Sequence, residues 1–195
     1  MGITRLKYHD YRSDDWYFVT FCTQHREHFF GEITNGGGSG EGQGEGAQDF
    51  AHPHHPHLHP TAIGLIAHYY WTEIPKHFPF VILDEFVIMP DHIHGLFYFD
   101  KPDYPYRLPR PNQFGPQSKN LASVIRGYKA AVKKYATMNN IPFAWQSRYH
   151  DYVVRTEIRL QIIRKYIRNN PQKWFEKNLA QPTKDSNIKK NCQAT

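Results

Sequence analysis

The chain is organised around the segment Met89-Pro90-Asp91-His92-Ile93-His94-Gly95-Leu96-Phe97-Tyr98-Phe99, in which two histidines flank one isoleucine. Its apolar, aromatic run follows Pro90-Asp91 and predicts a β-strand. Side chains of a strand alternate between its faces, so both histidines share one face with Leu96 and Tyr98. The opposite face predicts core, namely Ile93, Phe97 and Phe99. Two adjacent imidazoles on a sheet suit a metal site, although a His-x-His pair by itself is also typical of ordinary polar surface.

Length and composition favour one basic globular domain. The 195 residues are 39% hydrophobic and 15% aromatic, which is enough to build a core. The formal net charge is +6 and the isoelectric point is about 9.2. A basic protein of this kind favours an anionic partner, of which nucleic acid is the commonest.

The cysteines and the N-terminal residues exclude several classes of protein. The chain has two cysteines, Cys22 and Cys192, so neither a disulfide framework nor a cysteine-based zinc site is expected. Residues 1–15 are polar and charged, unlike a signal peptide, and no apolar run approaches the length of a membrane span. We therefore expect a cytoplasmic protein with no membrane partner.

The order of predicted elements indicates an α+β fold with an antiparallel sheet and helices packed on it. The strand over Val81–Met89 is separated from the histidine strand only by Pro90-Asp91, which predicts a hairpin. Thr61 and Ser118 are predicted to cap two helices, the first closed by Pro75. Other elements are expected as strands over Trp16–Thr23 and Tyr149–Arg155, an extension of the sheet over Glu27–Ile33, and a third helix over Glu157–Asn170.

Two segments break this pattern. Residues 35–60 combine a glycine-rich stretch with the histidine tract His52–Pro60. Glycine and proline do not hold a preformed coordination geometry, so we interpret 35–60 as a flexible insertion and not as the metal site. The polar residues 179–195 are expected to form a disordered basic tail after a single domain spanning 1–178.

The third helix carries a second candidate group. Tyr166 and Asn170 are four residues apart and share a helix face. Tyr166 lies at the flank of the apolar line formed by Leu160, Ile163 and Ile167. On pattern alone, a tyrosine there is most often a packing residue with its hydroxyl at the rim of the core.

These residues together resemble a known family. Met89–Gly95 resembles the HUH motif (His, bulky hydrophobic, His) of the single-tyrosine HUH transposases. Tyr166–Pro171, with Trp174 just beyond, resembles the catalytic-tyrosine helix of their REP-associated branch, the REP-associated tyrosine transposases. The resemblance runs from about Leu6 to Trp174, outside the insertion. Further segments that resemble this branch are Trp16–Phe21, Trp71–Pro75, Phe114–Leu121 and Trp145–Asp151.

The resemblance implies a fold, a reaction and a site. The implied fold is the ferredoxin-like, RRM-like sheet of the HUH endonucleases. His92 and His94 are expected to bind one divalent cation, Mg²⁺ or Mn²⁺, with Asn170 as the third protein ligand. That position is often glutamine in the insertion-sequence relatives, and asparagine reaches less far. Tyr166 is expected to attack single-stranded DNA beside a hairpin, to form a 5′-phosphotyrosine linkage and to allow rejoining of strands.

Basic residues outside this site are candidates for DNA contact. Arg107 and Arg110 lie among aromatic residues in a proline-rich segment, a mixture suited to base stacking and backbone contact. Arg126, Lys129 and Lys133 form a basic stripe at helical spacing, which suits phosphate contacts but also suits an ordinary solvated face.

Two other functions are compatible with the same residues. One is a noncatalytic single-stranded nucleic-acid-binding domain that keeps the fold. The other is an unrelated metal-dependent hydrolase that uses the two histidines alone. The sequence also leaves open whether the protein is a monomer or a homodimer that shares its active sites.

Overall fold

The computed structural model describes residues 9–35, 55–101 and 118–179. The strands are β1 (Trp16–Cys22), β2 (Gly31–Thr34), β3 (His57–Pro60), β4 (Val81–Met89), β5 (His92–Phe99) and β6 (His150–Val154). The helices are α1 (Ala62–Thr72), α2 (Ile74–His77), α3 (Leu121–Met138), α4 (Glu157–Arg168) and α5 (Asn170–Leu179). None of these helices has the length and apolar character needed to cross a membrane.

Four strands form one antiparallel sheet in the order β4-β5-β1-β6. With α1 between β1 and β4, and α3 between β5 and β6, this is the βαββαβ arrangement of a ferredoxin-like fold. The predicted fold class is therefore confirmed, and so is the hairpin of β4 and β5. The histidine strand lies in the middle of the sheet, between β1 and β4.

The main core lies between one sheet face and helices α1 and α3. Ile93 and Phe97 of β5 are fully buried there, as predicted for the face opposite the histidines. Gly95 is required by this packing, because a Cβ atom at that position would lie 2.1 Å from the Trp71 ring. The smallest residue of the histidine strand thus makes room for the largest side chain of α1.

Helix starts follow capping chemistry, with one correction. Thr61 caps α1 as predicted, since its hydroxyl oxygen accepts from the Gly64 N–H at 3.1 Å. Asn120, and not Ser118, caps α3: its side chain accepts from the Ser123 N–H at 2.9 Å, and Ser123 Oγ accepts from the Asn120 N–H. This reciprocal capping box satisfies two otherwise unpaired N–H groups.

Two prolines near predicted helix ends lie in the first turns of new helices. α1 ends at Thr72, and Pro75 lies in the first turn of α2. α4 ends at Arg168 rather than continuing to Asn170, which begins α5 with Pro171 next to it. The first turn of a helix has N–H groups without helical partners, so proline costs no hydrogen bond there.

The predictions for the insertion and for the segment before it are corrected in part. Gly31–Thr34 does not extend the main sheet, because it pairs with His57–Pro60 in a separate two-stranded sheet. The last four residues of the histidine tract are therefore a strand and not a flexible segment. Leu58 fixes this strand by packing against the main core. The predicted flexibility of 36–54 concerns residues outside the described ranges, as does the predicted tail from 180 onward.

Candidate active site

The two histidines of β5 meet on the sheet face opposite the main core. Both side chains are buried. Their Nε2 atoms are 3.1 Å apart, and their ring centroids are 4.6 Å apart. The shared face predicted from strand alternation therefore brings two imidazole nitrogens to one point.

Each histidine is fixed through its other ring nitrogen. His92 Nδ1 donates to Asp91 Oδ1 at 2.5 Å, and His94 Nδ1 lies 2.7 Å from the hydroxyl of Thr20 on β1. Because both Nδ1 atoms are engaged outside the site, both Nε2 atoms face inward. Second partners of this kind orient metal-binding imidazoles in many proteins.

Asp91 is itself anchored by a residue that sequence reasoning missed. Arg26 Nε lies 2.7 Å from Asp91 Oδ2, and Arg26 Nη1 donates to the Cys22 sulfur at 2.7 Å. His25 and Arg26 have positive φ angles of 54° and 60°, which turn the arginine back toward the sheet. No local sequence signal predicts this, because left-handed backbone at two successive non-glycine residues is uncommon.

Burial and neighbouring charge favour neutral His94. Burial lowers the pKa of His94 to about 3, helped by the nearby charges of His92 and Arg26. At Asp91, burial by itself raises the pKa, but the hydrogen bond from His92 and the charges of His92 and Arg26 together lower it. A neutral His94 is in the protonation state that metal binding needs.

Tyr166 completes this cluster from α4. Its hydroxyl oxygen is 3.2 Å from His94 Nε2, and the two ring centroids are 5.1 Å apart. The Phe18 ring stacks on the His94 ring at 5.5 Å and meets the Tyr166 ring edge-on at 6.1 Å. Tyr166 remains 39% exposed, so a substrate can reach its hydroxyl. Tyr166 thus lies at the flank of the apolar line of α4, as predicted.

α4 is attached to the sheet by apolar packing. Leu160, Ile163 and Ile167 are buried against Leu96 and Val154, which confirms the predicted core line of this helix.

Two ion pairs add to this attachment. Arg164 donates to both carboxylate oxygens of Asp84, at 3.0 Å from Nε and 2.5 Å from Nη2. Arg168 Nε lies 3.2 Å from Glu85 Oε1. Asp84 and Glu85 lie where the register of β4 against β5 shifts, between Leu83 and Phe86.

Asn170 begins α5, the helix that carries Trp174. Its side chain is 8% exposed, and Trp174 one turn later packs its ring 5.9 Å from the His92 ring. Among the described residues, no hydrogen bond joins Asn170 to either histidine. The role of Asn170 as a third ligand therefore stays a prediction.

The residues present fit a divalent cation. Two nitrogens 3.1 Å apart can bind one ion, since metal–nitrogen bonds are about 2.0–2.1 Å long. In the described ranges, no three His, Cys, Asp or Glu side chains form a metal cluster on their own. The remaining ligands would therefore be an amide oxygen such as that of Asn170, water, or an oxygen of the substrate.

The predicted basic stripe is not part of this cluster. Arg126, Lys129 and Lys133 are on α3, which packs on the other face of the sheet. Lys129 and Lys133 each donate to a main-chain carbonyl at 2.6 Å, those of Gln146 and Phe143. Arg107 and Arg110 are outside the described ranges.

No protein-family model matches the sequence of this chain. An uncharacterized protein of Haemophilus influenzae is 33% identical over 184 residues, which cover 90% of each chain. The two proteins belong to one family.

The structure of a REP-associated tyrosine transposase bound to a REP hairpin resembles this one with a TM-score of 0.54 and 14% identity. The match covers 89% of this chain and 74% of that chain. The fold of this family is therefore that of the REP-associated tyrosine transposases, as the sequence motifs indicate. The roles of Tyr166, His92, His94 and Asn170 stay predictions.

Proposed function

We propose that this protein is a transposase-type enzyme that cleaves and rejoins single-stranded DNA with divalent metal and a tyrosine nucleophile. One observation carries the proposal: the Tyr166 hydroxyl is 3.2 Å from His94 Nε2, which is 3.1 Å from His92 Nε2. A nucleophile and two metal-binding nitrogens at one point match the requirements of phosphoryl transfer.

The cleavage step is a displacement at phosphorus. The Tyr166 oxygen forms a bond to the scissile phosphorus while the bond from phosphorus to the 3′ oxygen breaks. The phenolic proton leaves the tyrosine, and the departing 3′ oxygen is protonated to a free 3′-OH. The product is a 5′-phosphotyrosine, and attack by another 3′-OH reverses the step and joins strands without external energy.

His92, His94 and the Asn170 amide oxygen would hold the cation. A bound Mg²⁺ or Mn²⁺, the ions that the family resemblance favours, would polarise the phosphate and would favour the phenolate form of Tyr166. The chain itself supplies orientation. Asp91 and Thr20 keep both Nε2 atoms directed inward, and the buried line of α4 holds Tyr166 against the pair.

The substrate class follows from access and charge. Both histidines are buried and Tyr166 is partly exposed, so we propose that the phosphate enters from the side of Tyr166. An unpaired strand presents such a phosphate more easily than a duplex does. The net charge of +6 favours DNA. The structural neighbour is bound to a REP hairpin, and we propose a hairpin-associated single strand as the substrate here.

A covalent adduct tests the proposal. Single-stranded DNA flanking the protein's own gene is incubated with the protein and Mn²⁺ and then run on a denaturing gel. Wild-type protein is expected to give a protein–DNA band that chelation of the metal removes. Tyr166→Phe is expected to lose the band, because phenylalanine has no nucleophilic oxygen.

Tyr69→Phe is the matched control, since Tyr69 is 52% exposed on α1 and far from the histidines. It is expected to keep the band. An adduct formed by Tyr166→Phe would refute the nucleophile assignment. Salt-sensitive binding without any metal-dependent adduct would instead support the noncatalytic alternative.

A further inference from the structure

Within the described ranges, α4 leaves part of the sheet face beside the histidines uncovered. It packs mainly over β4 and β5 and reaches Val154 at the end of β6, whereas His150 and Tyr152 of β6 remain exposed. In the antiparallel register, Phe18 is paired with Tyr152 and Thr20 with His150, so all four side chains lie on the histidine side of the sheet. We refer to these four residues as the open face. Tyr152 is 47% exposed, although it is a large aromatic residue on a strand.

One flank of α4 forms a wall along the open face. Arg159, Ile162 and Tyr166 are spaced by three and four residues and therefore share that flank. Ile162 is 51% exposed and Arg159 is exposed as well. The other flank carries Arg164 and Arg168, which reach back to β4. One side of α4 therefore attaches the helix to β4, and the other side is turned to the open face.

We infer that the open face and this wall bind unpaired bases of the DNA strand whose phosphate is attacked by Tyr166. This inference rests on the proposed function. The face is continuous with the site, because the Phe18 ring contacts the rings of both His94 and Tyr166. A strand that presents a phosphate to the Tyr166 hydroxyl therefore has its adjacent nucleotides beside Phe18 and Tyr152.

The chemistry of the face matches this occupant. Exposed aromatic rings stack with bases regardless of sequence, and cations beside them contact the backbone. Arg155, at the end of β6, and Arg159 are both exposed and lie at the same end of the face as the start of α4. A second copy of the chain fits less well, since a two-fold interface here would place these arginines against each other.

DNA binding measured under conditions that prevent cleavage tests the inference. A fluorescently labelled twelve-nucleotide oligothymidine is titrated with the protein in EDTA, in a Tyr166→Phe background so that no covalent product forms. Tyr152→Ala in that background is expected to weaken binding by about 5- to 150-fold, the range that loss of one base–aromatic stack produces. Tyr152→Phe keeps a ring and is expected to bind within about twofold of the background.

Tyr69→Ala is the control for removal of an exposed tyrosine from the opposite side of the sheet, and it is expected to leave the affinity unchanged. Circular dichroism of Tyr152→Ala checks that the edge strand is retained. Equal affinities of Tyr152→Ala and the background protein would overturn the inference. So would a dimer that Tyr152→Ala dissociates without changing DNA affinity.

The adduct assay separates this inference from the proposed function. If Tyr152-dependent binding is found but no adduct forms, the base-binding face stands and the catalytic proposal fails. If the adduct forms while Tyr152→Ala binds normally, the catalytic proposal stands and the base-binding face fails.

Discussion

At the scale of single residues, the site depends on a chain of contacts that begins outside it. Arg26 pairs with Asp91, Asp91 accepts from His92 Nδ1, and His92 thereby presents Nε2 to His94. The Asp91 carboxylate selects the tautomer of His92, and it also fixes the orientation of the His92 ring. An aspartate adjacent in sequence to a histidine is unremarkable until this geometry is known.

Asp91→Asn is predicted to weaken Mn²⁺ binding by about 10- to 100-fold, the usual cost of losing a carboxylate partner of a ligating imidazole. Titration calorimetry of the purified protein with Mn²⁺ measures the change. Asp100→Asn, just beyond β5 and exposed, is the matched control and should leave the affinity as it is. Unchanged Mn²⁺ affinity in Asp91→Asn would show that the carboxylate does not orient a ligand.

At the scale of elements, the irregularity in β4 fixes the tyrosine helix. The register shift at Asp84 and Glu85 turns two successive acidic side chains toward α4, where Arg164 and Arg168 are one helical turn apart. β-Bulges are known to redirect side chains in this way. The two pairs differ in burial: the first is mostly buried and bidentate, whereas the second is largely exposed.

Asp84→Asn is predicted to lower the free energy of unfolding by about 1–3 kcal/mol, because hydrogen bonds between charged groups are lost in a partly buried position. Urea unfolding measures this value. Arg168→Met removes the exposed pair on the same helix and is expected to cost at most about 1 kcal/mol. A larger loss in Arg168→Met than in Asp84→Asn would reverse our ranking of the two contacts.

The same ion pair predicts a pH dependence. At Asp84, burial by itself raises the pKa, but hydrogen bonds from Arg164 and from the Glu85 N–H outweigh it and lower the pKa. A lowered folded-state pKa gives stability that is complete above the ordinary aspartate value of about 3.9 and is lost as pH falls through the folded value. The difference in Tm between wild type and Asp84→Asn should therefore be constant near neutral pH and vanish in acid.

At the scale of the whole molecule, the sheet separates two functions. One face, under α1 and α3, holds the main core, while the other face holds the histidines, α4 and the open face. Residues 35–56 join β2 to β3, whose ends are paired at Thr34 and His57. This connection closes a hairpin, and none of its described residues, 35, 55 and 56, belongs to the cluster around His92.

Replacing residues 36–54 with Gly-Asn is predicted to keep both the fold and the Mn²⁺-dependent adduct. Shortening the connection from about 20 residues to about 5 should raise the free energy of unfolding by about 1 kcal/mol through lower loop-closure entropy. The denaturing-gel assay and urea unfolding check both outcomes, with His92→Ala as the variant that loses the adduct. Loss of the adduct on deletion would place a needed group in the histidine tract.

Several elements were predictable because their signals are local. Alternation assigned both faces of β5, a two-residue turn gave the β4–β5 hairpin, and helical spacing gave the buried line of α4. The helix boundaries that were predicted wrongly share one cause. Ser118 and Asn120 are both good caps, and Pro75 and Pro171 suit either the end of one helix or the start of the next. Only packing around each segment selects between such choices.

The sequence by itself determined the ferredoxin-like order of elements, the two histidines on one strand face and the tyrosine on a helix flank, since these follow from periodicity and motif. The tertiary structure decided which side chains from distant parts of the chain come into contact. It brought Tyr166 to His94, Arg26 to Asp91, and Phe18 beside Tyr152. These contacts join residues far apart in the chain, and no local propensity encodes them because sheet register and helix docking are set by burial of the whole core.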